Sequence, residues 1–212
     1  PPGFADLPSV GPAHAPSLEG IVALAPDLVL GANDWNGDRA ALERGGIAVY
    51  PAPRMTGVDS IHLAIQAVGR LIGRAEEAFV RVAELAAALA EVTAEIPEVP
   101  LRAAYVYASG ADSLFAIGEG TPEHDMLVRA RLENAFSSLG GYIQISAEVL
   151  IQLDPDLLVT DPTQVELFLT HPALSQLRAV RDGRIVAIPA RFPASTRIVE
   201  AIHLLVEGAY GL

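Results

Sequence analysis

The sequence predicts an α/β protein of two similar lobes, each built on a parallel sheet, with one long helix joining them. Three observations lead there. Two stretches 129 residues apart carry nearly the same phrase, Ser17-Leu18-Glu19-Gly20-Ile21-Val22-Ala23-Leu24-Ala25-Pro26-Asp27-Leu28 and Ser146-Ala147-Glu148-Val149-Leu150-Ile151-Gln152-Leu153-Asp154-Pro155-Asp156-Leu157, identical at six of twelve aligned positions. That spacing is far longer than a solenoid unit, so it points to two bodies of like build. Strand, helix and strand then follow one another within residues 27–50, which implies parallel pairing through a crossover. Finally, a helical pattern over 75–96 would run roughly 30 Å at about 1.5 Å per residue, enough to bridge two lobes.

Taken in order, Ser17 is a good N-cap, with Glu19 in the first turn where the helix dipole favours an anion. This short helix stops at Pro26, and 27–31 reads as a buried strand. A second helix over 37–44 ends at Gly45-Gly46, and the strand 47–50 is closed by Pro51 and Pro53. From 58 to 96 apolar residues fall at helical spacing, first at Ile61, Ile65, Val68, Leu71 and Ile72, then at Phe79, Val82, Leu85, Leu89 and Val92. Gly73-Arg74 breaks this run into two helices. The second half repeats the plan with a strand over 102–108, a Gly-rich loop, a helix from about 123, the echoed helix 146–153 and a strand 156–160. A helical stretch near 171–180, a strand 184–188 and an amphipathic helix 195–210 through Ile198, Ile202, Leu205 and Val206 complete it. The division expected is a first lobe over 1–73, a linking helix over 74–97 and a second lobe over 98–212.

The composition removes several functions. A net charge of −12 argues against nucleic acid, which needs clustered cations to displace counterions. All 14 basic residues are Arg, so lysine Schiff-base chemistry and a phosphate-loop lysine are excluded, and Arg is the only cation for gripping a carboxylate or phosphate. With no Cys there is no disulfide, thiolate metal site or cysteine nucleophile. No run of about 18 apolar residues without charges exists, so nothing is expected to span a membrane. The opening on Pro1-Pro2-Gly3-Phe4, without a signal peptide or lipidation cysteine, reads as a processed or trimmed chain. There is no Gly-x-Ser-x-Gly elbow, His-Glu-x-x-His, phosphate loop or dinucleotide glycine pattern, and Gly118-Glu119-Gly120 reads as a plain loop. His14, His62, His124, His171 and His203 form no i, i+4 metal pair, and solvated or capping roles are expected for them. Glu19 and Glu148, at the same point in matched contexts, read as a paired surface for a partner that presents two cations.

Together these residues resemble the iron-chelate and vitamin B12 class of ABC-transporter substrate-binding proteins. The likeness runs from Leu7-Pro8-Ser9-Val10-Gly11, Ser17-Leu18-Glu19 and Ala23-Leu24-Ala25-Pro26-Asp27-Leu28-Val29 to Val68-Gly69-Arg70-Leu71-Ile72-Gly73-Arg74-Ala75-Glu76-Glu77-Ala78. It returns at Glu133-Asn134-Ala135-Phe136, Ile145-Ser146-Ala147-Glu148, Asp154-Pro155-Asp156 and Ser195-Thr196-Arg197-Ile198-Val199-Glu200. The resemblance implies two Rossmann-like lobes joined by one long helix, with the ligand in the cleft between them, in the periplasm or another extracytoplasmic part of the cell envelope. It implies that Glu19 and Glu148 meet arginines of a membrane permease. The family carries a further strand-helix-strand unit ahead of Pro1, so the first lobe is expected to lack its first such unit. Val128-Arg129-Ala130-Arg131-Leu132-Glu133-Asn134 also lacks the family's small, Gly-containing segment, which bears on how the preceding helix ends.

The function expected is capture of a metal chelate, a cobalamin-type corrinoid or a ferric siderophore, for delivery to an ABC importer, with no intrinsic cofactor and no catalysis. A haem-binding member of the same class is the alternative ligand reading, with His14 as the axial candidate, because Pro12 stands where haem binders carry a tyrosine. An enzyme or metal-insertion protein on a similar plan, or a two-lobed module that meets only proteins, are the other classes. A chelate seat wants aromatic walls and a few oriented polar groups. Candidates at strand ends or ahead of the echoed helices are Trp35, Tyr142, His14, Asn33, Arg54, Tyr107, Phe115, Arg191, Phe192 and Arg197. Trp35, among Asn33, Asp34, Asn36 and Gly37, is the least core-like. Trp35 and Tyr142 also stand where relatives of this class carry aromatic ligand contacts.

Overall fold

The computed structural model of the chain describes residues 6–12, 15–31, 37–99, 101–110 and 113–212. The chain divides into two compact units, Pro1–Arg54 and Met55–Leu212. The first holds α1 (Leu18–Ala23), β1 (Leu28–Gly31), α2 (Asp38–Arg44) and β2 (Ala48–Pro51). Its two strands pair in parallel, Leu28 opposite Ala48 and Gly31 opposite Pro51, as the strand-helix-strand reading requires. Ser17 caps α1, its hydroxyl oxygen accepting from the Gly20 N–H at 3.1 Å.

The second unit begins with the helices α3 (Val58–Leu71) and α4 (Ala75–Thr93). They part where the sequence predicts, at Gly73, whose φ of 71° is the left-handed conformation that ends a helix. They also cross closely, since a side chain on Gly69 would overlap the Ala78 methyl. There follow β3 (Leu101–Gly110), β4 (Ser113–Ile117), α5 (Pro122–Arg129), β5 (Leu132–Asn134), β6 (Tyr142–Ile145), α6 (Ala147–Leu153), β7 (Leu157–Thr160), α7 (Val165–Thr170), α8 (Arg178–Arg181), β8 (Ile185–Ala187) and α9 (Ile198–Tyr210). The sheet runs β6-β4-β3-β7-β8, with β5 also beside β3. β5, β7 and β8 join in parallel, whereas β4 runs antiparallel to both of its neighbours, β3 and β6, so this sheet is mixed rather than wholly parallel. The stretch read as a Gly-rich loop holds β4, because Ser113-Leu114-Phe115-Ala116-Ile117 is an apolar run that pairs back on β3.

The sheet is buried on both faces. Along β3, Ala103, Tyr105 and Tyr107 face a core shared with α3, α4, α5 and α9, while Ala104, Val106 and Ala108 face a core shared with α6, α7 and α8. This period-two alternation makes the unit a three-layer sandwich. The helical stretch expected near 171–180 is not continuous. α7 ends at Thr170, a 3-10 turn covers Leu174–Gln176 and α8 starts at Arg178. Pro172 cannot continue the α7 ladder, and the His171 Nδ1 accepts from the N–H groups of Ala173 and Leu174 at 3.2 and 3.3 Å.

The sequence echo extends to the backbone. α1 and α6 each bury the equivalent aliphatic residue, Ile21 and Leu150. Each helix then leaves through a left-handed residue, Ala25 (φ 45°) or Asp154 (φ 38°), followed by proline and a parallel strand. The departure at 128–134 is absorbed in the same way. α5 ends at Arg129, and Arg131 takes φ 54° without glycine while its guanidinium donates to the Ile96 carbonyl at 2.8 Å.

Candidate functional site

In open α/β sheets, ligands sit outside the carboxyl ends of parallel strands. In the second unit those ends are residues 107–110 after the part of β3 that pairs in parallel with β7, Asp161 after β7, and the segment from Ile188 after β8. The end of β3 is built with care. The Gln164 amide donates to the Ala108 carbonyl and accepts from its N–H, both at 2.8 Å, satisfying strand groups that β7 is too short to reach.

Beside it lies a cluster of phenols around one carboxyl. The hydroxyls of Tyr105 and Tyr107 are 3.1 Å apart, and the Tyr107 hydroxyl donates to Glu123 Oε1 at 3.4 Å. From β6, the Tyr142 hydroxyl donates to Glu123 Oε2 at 3.2 Å. Tyr105 and Glu123 are buried, whereas Tyr142 is 54% exposed. Phe115 lies opposite Tyr107 across the β3–β4 pair, and Tyr142 lies opposite Ile117 across the β4–β6 pair. Glu123 is held in place because Thr121 caps α5, its oxygen accepting from the His124 N–H at 3.2 Å, and Pro122 stands at the first helical position.

Burial pushes the Glu123 carboxyl above the ordinary carboxylate range, although hydrogen bonds from its own backbone, Tyr142 and Tyr107 oppose the shift. Burial likewise pushes the phenols of Tyr105 and Tyr107 up. Among the described residues no cation pairs with Glu123. A carboxyl whose folded pKa is raised contributes most below its unfolded value near 4.5, and that contribution is lost as pH rises through the folded value. Glu123→Gln is therefore expected to raise the melting temperature at neutral pH while matching the wild type near pH 4.5. A gain of about 1 kcal/mol would correspond to roughly 2–4 °C for a chain of this size. Thermal melts from pH 4.5 to 8 check this, and parallel curves for the two proteins would refute it.

A second group gathers after β8. The Arg197 guanidinium stacks on Phe192 at 3.7 Å from the ring centroid and binds both carboxylate oxygens of Glu200, at 2.7 and 2.5 Å. Arg191 lies 5.6 Å from the same ring. Phe192 is itself buried in the core, so the aromatic face it offers is already covered by Arg197 on one side and packed against the other residues of that core. Asp161 joins this segment to β7 by accepting from the Ala190 N–H at 2.8 Å. Burial opposes ionisation of Asp161, but hydrogen bonds from Thr163 and Ala190, with Arg191 nearby, hold its carboxyl below the usual range.

The structure thus brings Tyr107, Phe115 and Tyr142 into one neighbourhood and Arg191, Phe192 and Arg197 into another. Arg54, the last residue of the first unit, is exposed. His14, Asn33 and Trp35 lie outside the described residues. Nothing in the sequence singles out Tyr105 or Glu123. An acid one residue past Thr121-Pro122 looks like an ordinary helix-start residue, and only the antiparallel β4–β6 pairing carries Tyr142 to it. Glu19 and Glu148 both stand exposed in the first turns of the matched helices α1 and α6. A hydrogen bond from the Ser146 hydroxyl, then one from its own backbone, holds Glu148 below the ordinary range.

The first unit also has a hollow of about 590 Å³ lined by Val10, Ile21, Leu24, Leu28 and Leu30. It is aliphatic throughout and lacks the convergent polar groups of a chelate seat. Among the described residues no His, Asp and Glu side chains cluster to hold a metal ion, and no helix is long and apolar enough to cross a membrane.

Comparison with known proteins agrees with this architecture. The sequence matches a family profile described as periplasmic binding protein over residues 1–192. It is 26% identical over 197 residues to a cobalamin-binding protein of Halobacterium salinarum, covering 85% of this chain and 52% of that one. The chain thus spans about half the length of that relative. Among solved structures, a periplasmic heme-binding protein from Roseiflexus sp. RS-1 superposes with a TM-score of 0.88 at 24% identity, covering 98% of this chain and 84% of that one. An ABC-type Fe3+-hydroxamate transport system from Saccharomonospora viridis superposes with a TM-score of 0.76 at 28% identity, covering 92% and 72%.

Proposed function

Because the chain belongs to the periplasmic binding protein family, we propose that it captures a metal chelate and passes it to the permease of an ABC importer outside the cytoplasm, without catalysing a reaction. The observation that carries this is the duplicated module, in which helix, left-handed residue, proline and parallel strand recur with an exposed glutamate at the same point of each helix. One glutamate per unit suits a partner with two cationic contacts, and docking needs no more than that. In this reading residues 1–73 and 98–212 act as the lobes and 74–97 as the helix that links them.

For the ligand, the relatives name cobalamin, heme and ferric hydroxamate. The phenol cluster supports a chelate with an extended apolar face. It offers Tyr142, which opens β6 and is 54% exposed, with Trp35 following β1 in the sequence, while after β8 Arg197 is already committed to Glu200. The test uses cyanocobalamin, haemin and ferrioxamine with the intrinsic fluorescence of Trp35, the one tryptophan. Saturable quenching by at least one coloured chelate, confirmed by equilibrium dialysis, is the expected result. A full-length protein that leaves all three in the dialysate would overturn the proposal.

A further inference from the structure

A carboxyl buried with no cation lowers stability relative to a neutral amide of the same shape, so the fold alone does not account for Glu123. What distinguishes its position is the pair of hydroxyls that converge on it. One belongs to Tyr107, packed against the core, and the other to Tyr142, a residue 54% exposed. An exposed tyrosine ordinarily samples several rotamers. Here the residue is half exposed while its hydroxyl is fastened to a residue that is 4% exposed. The fastening point is rigid in turn, because Thr121 donates to the Gly118 carbonyl at 2.8 Å and so ties the start of α5 to the end of β4.

We propose that Glu123 is a positioning residue that holds the Tyr142 ring as a preformed flat wall of the ligand seat, for a chelate that lays an extended apolar face against it. This rests on the chelate-binding reading above. Immobilising a side chain only when the ligand arrives weakens binding, and a tether already made in the free protein removes that cost. The chemistry favoured is a broad, planar macrocycle rather than a small polycarboxylate complex, because the wall offers a ring face next to a buried acid and no cation from this cluster.

The experiment is a double-mutant cycle, measured with whichever of cyanocobalamin, haemin and ferrioxamine binds most tightly. E123A and Y142F are each expected to raise Kd roughly three- to tenfold. Adding E123A to Y142F is expected to change nothing further, because the tether is already gone. E123Q, whose carbonyl oxygen still accepts from the Tyr142 hydroxyl, is expected to restore most of the affinity. Additive effects of E123A and Y142F, or an unchanged Kd in E123A, would overturn the inference. A second readout needs no ligand. In protein carrying 3-fluorotyrosine, the fluorine resonance that Y142F removes is expected to shift and narrow in E123A, and an unmoved resonance would also sink the idea. If no chelate binds while that resonance moves, the transport reading fails and the tether stands, so the two failures are told apart.

Discussion

Reversing Glu19 and Glu148 together to arginine should abolish uptake by the assembled importer while leaving chelate binding at its wild-type strength. Both side chains are exposed in the first turns of short helices, so neither substitution removes a buried contact. Exposed ion pairs contribute little singly, and deleting one carboxylate is expected to have a small effect. On the proposed docking role, reversal differs because it would set like charges face to face, which is strongly unfavourable and would act at both contacts at once. Uptake of labelled chelate in a reconstituted system should fall roughly tenfold or more in the double variant, with intermediate values for the single reversals. Rising salt should shrink the differences among the single variants, since exposed charges are screened. Uptake that survives the double reversal would sink the docking assignment. Loss of chelate binding instead would move these carboxylates into the ligand seat.

Gly118→Ala is the substitution expected to damage the fold most. A methyl group there would overlap the Leu139 carbonyl oxygen and lie 2.9 Å from Ile143 Cδ1. The Leu139 carbonyl is not free to retreat, because it sits in a knot of backbone bonds. Gly118 donates to the Gly141 carbonyl at 2.7 Å, Glu119 donates to Leu139 at 2.6 Å, and Gly141 donates back to Glu119 at 2.9 Å. The knot fixes where β6 begins relative to the start of α5, and so sets Tyr142 opposite Glu123. Overpacking against backbone costs about 3 kcal/mol, which corresponds to a fall of roughly 6–12 °C in melting temperature. Differential scanning calorimetry measures it, and a shift within 2 °C would show that the segment relaxes freely. If Tyr142 lines the ligand seat as proposed, whatever protein folds is expected to bind chelate more weakly, because Tyr142 would be displaced along with β6.

The parts of the molecule that obey local rules were legible in the chain. Ser17 and Ser146 stand before the echoed helices, Pro26 and Pro155 stop them, and Gly73 divides α3 from α4. Caps, proline and glycine act within a few residues, so they can be recognised without knowing what lies across the sheet. The helix end at Arg131 shows the limit of that kind of reading. No glycine marks it, yet the chain turns left-handed there, with the Tyr210 hydroxyl donating to the carbonyls of Ala130 and Arg131.

The α/β class, the duplicated helix-strand module with its two glutamates, and the family to which both point can all be read along the chain. Those are properties of residues and their neighbours along the chain. Only the folded molecule shows that β4 pairs antiparallel with both β3 and β6, that Glu123 is buried beneath Tyr142, and that Arg197 is committed to Glu200 and Phe192. Strand pairing and burial depend on residues such as Tyr105, Glu123 and Tyr142 meeting across long separations. The energy of a carboxyl set among phenols exists only once the fold has removed water from around it.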